Sequence, residues 1–415
     1  MFADSHQIKK KKKNVSHGIH VFQTKLTDFI DGTLLYLKRK IRIPYKTKPL
    51  QVNNEKYMEG VLPESQILAF KKYDSFHGYL NNMFALNPSL DEFFINMQMN
   101  YGYEPQHNFD FLNFNNIFKL EISRCKLGYT HFNSWIMEFN QNKSLRMELG
   151  IQSQYDLTVR SYLRNLNIIS SCLNEYADQL KQECRALNLI GDKIWIWDRR
   201  FFECNSNGVK RKETGKLSDP DAGHYVKKTG KYSVLTGTGY TDTCLVDRSW
   251  GLSVYWDAVS ANKNDNTIFQ DTINESMKST DVKPIFLIVD AGPDSHGSNK
   301  VVMEHKIIPI IAARSNSVGD IIKTDEGNCF RGEYIPREFH PLLGKLYDLR
   351  TIIERRNSYE VVGYHRFEMP TRGIKWARCF VSTSNMTSLL TALTAYKVGR
   401  FDLIRSPSAF RRLSI

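Results

Sequence analysis

Two short apolar runs, each followed directly by an aspartate, constrain the fold of this chain more than any other feature. The first run, Lys193–Trp197, leads into Asp198, and the second, Pro284–Val289, leads into Asp290. Apolar runs of this length predict strands buried within a sheet. Ligand sites in open α/β sheets lie beyond the carboxyl ends of the strands. We therefore expect both carboxylates to emerge at the same edge of a sheet.

The segments between and after these aspartates predict an order of strands and helices. Gly239–Val246 and Leu252–Val259 predict a hairpin, because the turn-forming segment Asp247–Gly251 separates two strand-like runs. The remaining predicted elements are helices over Asp265–Met277, Ser298–Lys306 and Leu342–Arg356, and a buried strand over Ile307–Ala312. The resulting order, β-β-β-α-β-α-β-α, is that of the ribonuclease H-like fold. In this α/β fold, a mixed sheet with flanking helices has three antiparallel strands followed by parallel strands.

The first half of the chain has a different pattern. Residues 61–188 are predicted to be α-helical, because apolar residues recur there at intervals of three and four. The predicted helices cover Leu90–Met99, Phe109–Ile122, Trp135–Leu149 and Leu157–Cys172. Asp91 and Asp156 lie where helix N-caps are expected. Ser144–Leu166 fits two short helices joined by a turn at Gly150, which is compatible with a helix-turn-helix and equally with any helical bundle.

Residues 1–60 are polar, basic and weakly patterned, and we expect them to form a partly disordered arm. The tract Lys9–Lys13 fits either an arm that touches phosphates or a solvated tail. The chain is therefore predicted to have three parts. They are this arm, an α-helical DNA-binding or dimerisation region over 61–188, and a ribonuclease H-like catalytic domain over 189–415.

Charge and composition narrow the class of protein. Lys and Arg number 57 against 44 Asp and Glu, which gives a formal net charge of +13. Such an excess attracts polyanions, of which nucleic acid is the commonest, although it also fits an unrelated basic enzyme. No apolar run reaches the roughly 18 residues that span a bilayer, so no membrane association is predicted. The seven cysteines contain no C-x-x-C pair. We expect a cytoplasmic protein whose cysteines are mostly buried thiols.

A third carboxylate is predicted on the last helix of this order. The helix reads Tyr347-x2-Arg350-x3-Glu354, and residues four apart lie on one face, so Arg350 should lie against Glu354. Carboxylate oxygens from two strands and a helix suit Mg²⁺ or Mn²⁺, and two such ions catalyse phosphodiester chemistry. Taken singly, each aspartate also fits a turn former or helix cap, and Glu354 fits a surface ion pair. The prediction depends on all three occurring at fitting points of one fold.

Three segments of the chain resemble the DDE transposases of bacterial and archaeal insertion sequences. They are Trp195–Asp198, Phe286–Ser295 and Tyr347–Arg355, and the resemblance extends over residues 192–395. Two shorter segments, Asp219–His224 and Ala261–Asp265, also match in character. The resemblance implies a ribonuclease H-like catalytic domain that cuts and joins DNA strands.

The resemblance also implies roles for individual residues. Asp198, Asp290 and Glu354 would be the catalytic metal ligands for two Mg²⁺ or Mn²⁺ ions, and Arg350 would steady the scissile phosphate or Glu354. The implied partners are double-stranded DNA, as terminal inverted repeats and target, and a second copy of the chain in a synaptic homodimer. The implied location is a bacterial or archaeal cytoplasm, in association with the nucleoid. Candidate DNA contacts are the helix residues Tyr347, Arg355 and Arg356 and the basic-stretch residues Lys227 and Lys228.

Some interpretations stay open at this point. The family's signature Lys would fall at Val361, so Arg355, Arg356 or His365 would have to supply its charge. Asp294 fits either a metal shell shared with His296 or a cap of the following helix. The basic stretch that contains Lys227 and Lys228 fits DNA tracking or a solvated insertion. No Gly-x-x-x-x-Gly-Lys-Ser/Thr loop occurs, so ATP is not implied. The alternative functions are a ribonuclease H-like nuclease that does not join DNA and a co-opted, non-catalytic DNA-binding protein.

Overall fold

A computed structural model describes residues 80–100, 114–151, 156–206, 217–228, 234–280, 282–364, 368–407 and 409. Its helices are α1 (Leu80–Ala85), α2 (Ser89–Asn100), α3 (Phe114–Lys126), α4 (Phe132–Gln141), α5 (Lys143–Glu148), α6 (Val159–Ile169), α7 (Leu173–Ala186), α8 (Asp265–Lys278), α9 (His296–Glu304), α10 (Leu343–Tyr347), α11 (Thr351–Ser358) and α12 (Ile374–Lys397). Its strands are β1 (Ile194–Cys204), β2 (Gly223–Lys228), β3 (Val234–Asp247), β4 (Ser253–Ser260), β5 (Phe286–Val289), β6 (Ile308–Ile311), β7 (Ile321–Lys323), β8 (Cys329–Arg331) and β9 (Glu368–Met369). The predicted arm over residues 1–60 lies outside the described residues.

The central sheet is mixed, with β1 in its middle. β1 pairs antiparallel with β3 on one side and parallel with β5 on the other, and β5 pairs parallel with β6. The second half of β3 pairs antiparallel with β4. The predicted succession of three antiparallel strands and then parallel strands is therefore confirmed, as is the pairing of the two strands that lead to Asp198 and Asp290.

The first strand is longer than predicted. Its apolar part was expected to end before Asp198, but β1 continues to Cys204. Register pairs with β3 extend without interruption from Trp195 to Glu203, across Asp198 and the two arginines after it. The backbone ladder with β3 thus overrides the polar side chains, and Asp198 lies within a strand rather than at its end.

A strand also lies in the segment predicted as a loop or basic insertion. β2 pairs with the first half of β3, so that Lys227 and Lys228 face Leu235 and Val234 in the ladder. β3 itself begins five residues before the predicted Gly239. The lysine content hid this strand, because the sequence of β2 has no apolar alternation.

The turn between β3 and β4 is stabilised by one buried carboxylate. Asp247 Oδ2 accepts hydrogen bonds from the backbone N–H of Ser249 (2.6 Å) and Trp250 (3.2 Å), and Oδ1 accepts from Leu252 (2.8 Å). Gly251 has φ of +68°, a conformation that favours glycine. The predicted hairpin is confirmed with this turn.

Helices cover both faces of the sheet. Trp197 Nε1 donates to Thr243 on β3, and Thr243 exchanges a hydrogen bond with Thr272 of α8. Asp242, the neighbour of Thr243, instead pairs with Arg356 of α11. Because successive side chains on a strand point to opposite faces, α8 and α11 lie on opposite sides of β3. α12 lies on the α11 side, where its Asn385 accepts from Arg356.

The helical part of the chain packs against α12. Lys126 Nζ donates to Thr391 Oγ1 (2.7 Å), and Asn87 Nδ2 donates to Thr394 Oγ1 (3.1 Å). All described residues belong to one compact unit. The predicted boundaries near residues 60 and 188 stay predictions.

The observed helix ends differ from the predicted ones. Asp91 lies inside the first turn of α2, which begins at Ser89. Asp156 is not the N-cap of α6, because Thr158 is; its Oγ1 accepts from the N–H of Ser161. The predicted helix Trp135–Leu149 is two helices, α4 and α5, which are separated at Asn142. Asn142 is both the C-cap of α4 and the N-cap of α5. Helix periodicity alone does not reveal a break of a single residue.

Two further predictions concern the cysteines and the hydropathy of the helices. The seven cysteines all lie within the described residues and form no disulfide, and six of them are buried, which confirms the predicted burial. Within the part of the chain that the structure describes, no helix is long and apolar enough to cross a membrane.

Candidate active site

Asp198 lies within β1, and Asp290 directly follows β5, the parallel neighbour of β1. In the β1–β5 ladder, Ile194 faces Phe286 and Ile196 faces Ile288. The ladder ends there and β5 ends at Val289; continued by two residues, its register would set Asp198 opposite Asp290. Neighbouring strands are about 4.8 Å apart, so the two carboxylates share one rim of the sheet.

Both aspartates line a single open cavity at this rim. The cavity has a volume of about 430 Å³, and its walls also include Tyr225 from β2 and the loop Ala261–Asp265 that leads into α8. Both carboxylates are half-buried. The fold therefore places both aspartates beside one cavity that is open to solvent, and a metal site shared by their carboxylates stays a prediction.

Helix α11 lies against the same rim. The Asn357 amide donates from Nδ2 to Asp198 Oδ2 at 2.6 Å, which places the end of α11 directly on β1. Arg350, just before α11, interacts electrostatically with both carboxylates. Burial lowers the pKa of Arg350, but Tyr347, Asp290 and Asp198 raise it more, so its pKa lies above the ordinary arginine value.

Glu354 lies between Arg350 and Asn357 along the chain, and its side chain points toward Arg350. Its Oε1 pairs with Arg350 Nη2 at 3.0 Å, which is the predicted i,i+4 pair, and its side chain is 54% exposed. Among the described residues, no group of three or more His, Cys, Asp or Glu side chains is close enough to hold a metal ion. The fold thus brings Asp198 and Asp290 together and places Glu354 on the adjoining helix, without gathering all three carboxylates.

Arg356 is not at the surface, contrary to its prediction as a DNA contact. Its side chain is 8% exposed, and its guanidinium pairs with Asp242 at 3.3 Å and Glu360 at 3.8 Å. It also donates to Asn385 Oδ1 (2.7 Å) and Asn357 Oδ1 (2.9 Å). This buried network fastens α11 to β3, so the Arg356 side chain holds the helix instead of meeting phosphate.

Arg199 anchors the loop that forms another wall of the cavity. Its guanidinium donates to the carbonyls of Lys263 (3.0 Å) and Ala261 (2.8 Å) and pairs with Asp265 at the start of α8. Its Nε donates to Thr241 on β3 (2.9 Å). The loop that resembles a transposase segment is therefore tied to the residue next to Asp198.

The turn after Asp290 is held in a similar way. Asp290 Oδ1 accepts from the N–H of Gly292 at 3.0 Å. Arg314, at the end of β6, donates to the carbonyls of Ala291 and Gly292. These bonds fix the direction of the chain as it leaves β5, and with it the position of the Asp290 carboxylate.

Asp294 neither caps α9 nor faces the cavity. Ser295 is the N-cap, and it accepts from the N–H of Ser298. Asp294 instead accepts from Arg331 Nε (2.7 Å) and Ser317 Oγ (2.5 Å). Burial raises the pKa of Asp294, but these hydrogen bonds lower it more, so its pKa lies below the ordinary aspartate value.

The remaining predicted residues have varied surroundings. His296 contacts Tyr334 (2.6 Å) and Glu333 (3.0 Å) and is not among the residues that line the cavity. Tyr347 is half-buried against Phe330, and Arg355 is exposed. His365, the other candidate for the signature charge, lies outside the described residues.

Three contacts at the rim were not predicted from the sequence. They come from Asn357, Arg199 and Arg314. Asn357 has a signal in hindsight, because it follows Glu354 by three residues and therefore lies on the same helix face. The two arginines have none, since their partners, most of them backbone carbonyls, are distant in sequence.

No family model matches the chain, and no curated protein matches it. Among solved structures, the chain is similar to piggyBac transposase in a synaptic complex with hairpin DNA, at 8% identity and a TM-score of 0.39, over 79% of this chain and 78% of that one. It is also similar to Mos1 transposase in a paired-end complex with the left transposon end, at 7% identity and a TM-score of 0.18, over 65% and 78%. Identities and TM-scores this low carry no argument about the site or its activity.

Proposed function

We propose that this chain is a DDE-type DNA transposase with a ribonuclease H-like catalytic domain. The observation that carries the proposal is that Asp198 of β1 and Asp290, which directly follows the parallel neighbour β5, line one cavity at a rim that α11 joins through the Asn357–Asp198 hydrogen bond. The sheet order β4-β3-β1-β5-β6, with its antiparallel and parallel parts, supports the fold assignment.

The donor set at this rim fits Mg²⁺ or Mn²⁺. Both ions prefer carboxylate oxygens, and the carboxylate residues Asp198 and Asp290 both line one cavity. Glu354 would complete the set by leaving Arg350. The exposed i,i+4 pair it would give up contributes only about 0.3–0.5 kcal/mol, less than a carboxylate gains at a divalent ion. When bound, two such ions supply an activated water or 3′-hydroxyl and a stabilised leaving oxygen.

The rest of the site would bind and orient DNA. Arg350 is released from Glu354 in this arrangement and lies near both aspartates, where its guanidinium suits a scissile phosphate. Tyr347 and the exposed Arg355 flank it, and Lys227 and Lys228 in the sequence of β2 are proposed as further DNA contacts. The net charge of +13 favours a polyanionic substrate. We propose terminal repeat DNA and target DNA as that substrate, held in a homodimeric synaptic complex.

The test is cleavage of end DNA by single alanine variants. We expect Asp198→Ala, Asp290→Ala and Glu354→Ala each to lose at least about 10³-fold in cleavage rate, because each removes a ligand of the reacting centre. DNA binding without metal should change by less than about threefold, since phosphate contacts come from the basic side chains. The matched control is Glu275→Ala, which removes the exposed helix pair with Lys278 and should leave cleavage unchanged. Wild-type cleavage by any of the three variants would refute its assignment.

A second candidate function is a non-catalytic DNA-binding protein. The Arg350–Glu354 pair favours it, because this pair keeps Glu354 away from the two aspartates. The metal-dependent cleavage assay separates the candidates, since a chain without activity on any end DNA cannot be a transposase. A pre-cut end then separates a transposase from a nuclease that does not join strands, because only the transposase transfers the 3′-hydroxyl into target DNA.

A further inference from the structure

The amide of Asn357 has only one possible orientation. Its Oδ1 accepts from Arg356 Nη1 at 2.9 Å, and its Nδ2 donates to Asp198 Oδ2 at 2.6 Å. A guanidinium has donors and no acceptor, so the oxygen of the amide must face Arg356. The NH₂ group is thereby directed at the Asp198 carboxylate.

Arg356 is itself fixed from several sides. Asp242 on β3, Glu360 beyond α11 and Asn385 on α12 all meet its guanidinium, and all three are buried. A chain of contacts therefore runs from the interior of the fold, through Arg356 and Asn357, to one oxygen of Asp198. A side chain held in this way loses little freedom when the carboxylate is used.

We propose that Asn357 is a positioning residue for Asp198, directing this carboxylate toward a divalent cation before the cation arrives. The proposal rests on the proposed function. A neutral amide donor suits this task, because it holds one carboxylate oxygen without cancelling the charge that attracts the ion. A lysine or arginine at the same point would compete with the cation for Asp198. Hydrogen-bond partners of metal ligands commonly set affinity in this way.

The direct test is a titration of the full chain with Mn²⁺ in the absence of DNA, in which electron paramagnetic resonance measures the bound Mn²⁺. We expect Asn357→Ala to weaken Mn²⁺ binding about 10-fold or more, the range typical of such partners. Asn357→Leu keeps a similar volume and should give the same loss, which guards against a packing effect. The matched control is Asn115→Ala, which removes an equivalent amide-to-carboxylate bond to Asp91 away from the rim and should leave Mn²⁺ affinity unchanged.

Cleavage kinetics give the second readout. With Asn357→Ala, the rate at saturating Mn²⁺ should recover to within about threefold of wild type, and the KM for DNA should stay the same, because the ligands themselves remain. A merely structural role for Asn357 would lower the rate at every Mn²⁺ concentration.

The outcomes separate this inference from the function it rests on. Wild-type Mn²⁺ affinity in Asn357→Ala, together with lost binding in Asp198→Ala, overturns the positioning role and leaves the metal site standing. Equal Mn²⁺ binding by wild type and Asp198→Ala overturns both. A shift in Mn²⁺ affinity in a chain that cleaves no DNA supports the positioning role and refutes the transposase.

Discussion

Replacing the buried Arg356 by methionine tests how α11 is held on the sheet. The guanidinium is the cation shared by Asp242 at 3.3 Å and Glu360 at 3.8 Å, two carboxylates that are each 1% exposed. Removing one partner from a buried ion pair costs about 3–5 kcal/mol, because the other charge stays buried without compensation. Asp242 keeps a weaker contact with Arg200 at 3.8 Å, and Glu360 loses its contact with Arg356. We therefore expect a loss of about 3–5 kcal/mol in the free energy of unfolding, measured by urea denaturation.

Two further variants make this prediction sharp. Arg378→Met breaks an ion pair with Asp257 in which the arginine is 57% exposed, and it should cost less than about 1 kcal/mol. Adding Asp242→Asn and Glu360→Gln to the Arg356 variant removes both buried carboxylate charges and should restore part of the lost free energy of unfolding. The reasoning is refuted if Arg356→Met costs no more than Arg378→Met, or if neutralising the two carboxylates makes the loss larger.

Two other predictions concern the stability of the fold around the site. The pKa of Asp294 is lowered in the fold, so its bonds to Arg331 stabilise the protein above the ordinary aspartate pKa of about 4 and are lost as pH falls below it. Asp294→Asn should therefore be less stable than wild type at pH 7, with a difference in thermal midpoint that shrinks toward pH 3; a constant difference would contradict this. Gly239→Ala would place a Cβ 2.2 Å from a backbone oxygen of β1, so we expect a loss of at least about 1–3 kcal/mol in unfolding free energy, and a neutral result would mean that β1 and β3 are not so close.

The parts of the fold predicted correctly are those with a strong local signal. Ile194–Trp197 and Phe286–Val289, which precede Asp198 and Asp290, are buried throughout, so hydrophobicity alone identified β1 and β5. Their pairing followed from the element order, and the common edge expected for the two aspartates followed from the pairing. The buried runs, the element order and the strand pairing therefore all predicted the same edge of the sheet for the two aspartates.

The parts that were missed depend on contacts distant in sequence. β1 extends through Arg199 because β3 pairs with it, and no residue in the segment itself signals this. Arg356 looked like a surface cation beside Glu354, whereas its partner Asp242 lies 114 residues earlier. The predicted helix over Leu342–Arg356 is divided between α10, a 3₁₀ turn at Asp348–Arg350 and α11. Sequence periodicity detects a helix face, but it does not detect which buried charge that face meets.

The most direct test of a shared metal site is a crystal structure of the wild-type protein soaked with Mn²⁺, with anomalous scattering used to locate the ion. We predict an anomalous peak between the Asp198 and Asp290 carboxylates, with Glu354 turned from Arg350 toward it and Asn357 still bonded to Asp198. A crystal with full access to Mn²⁺ and no peak at this rim, or a peak held by other residues, would contradict the account.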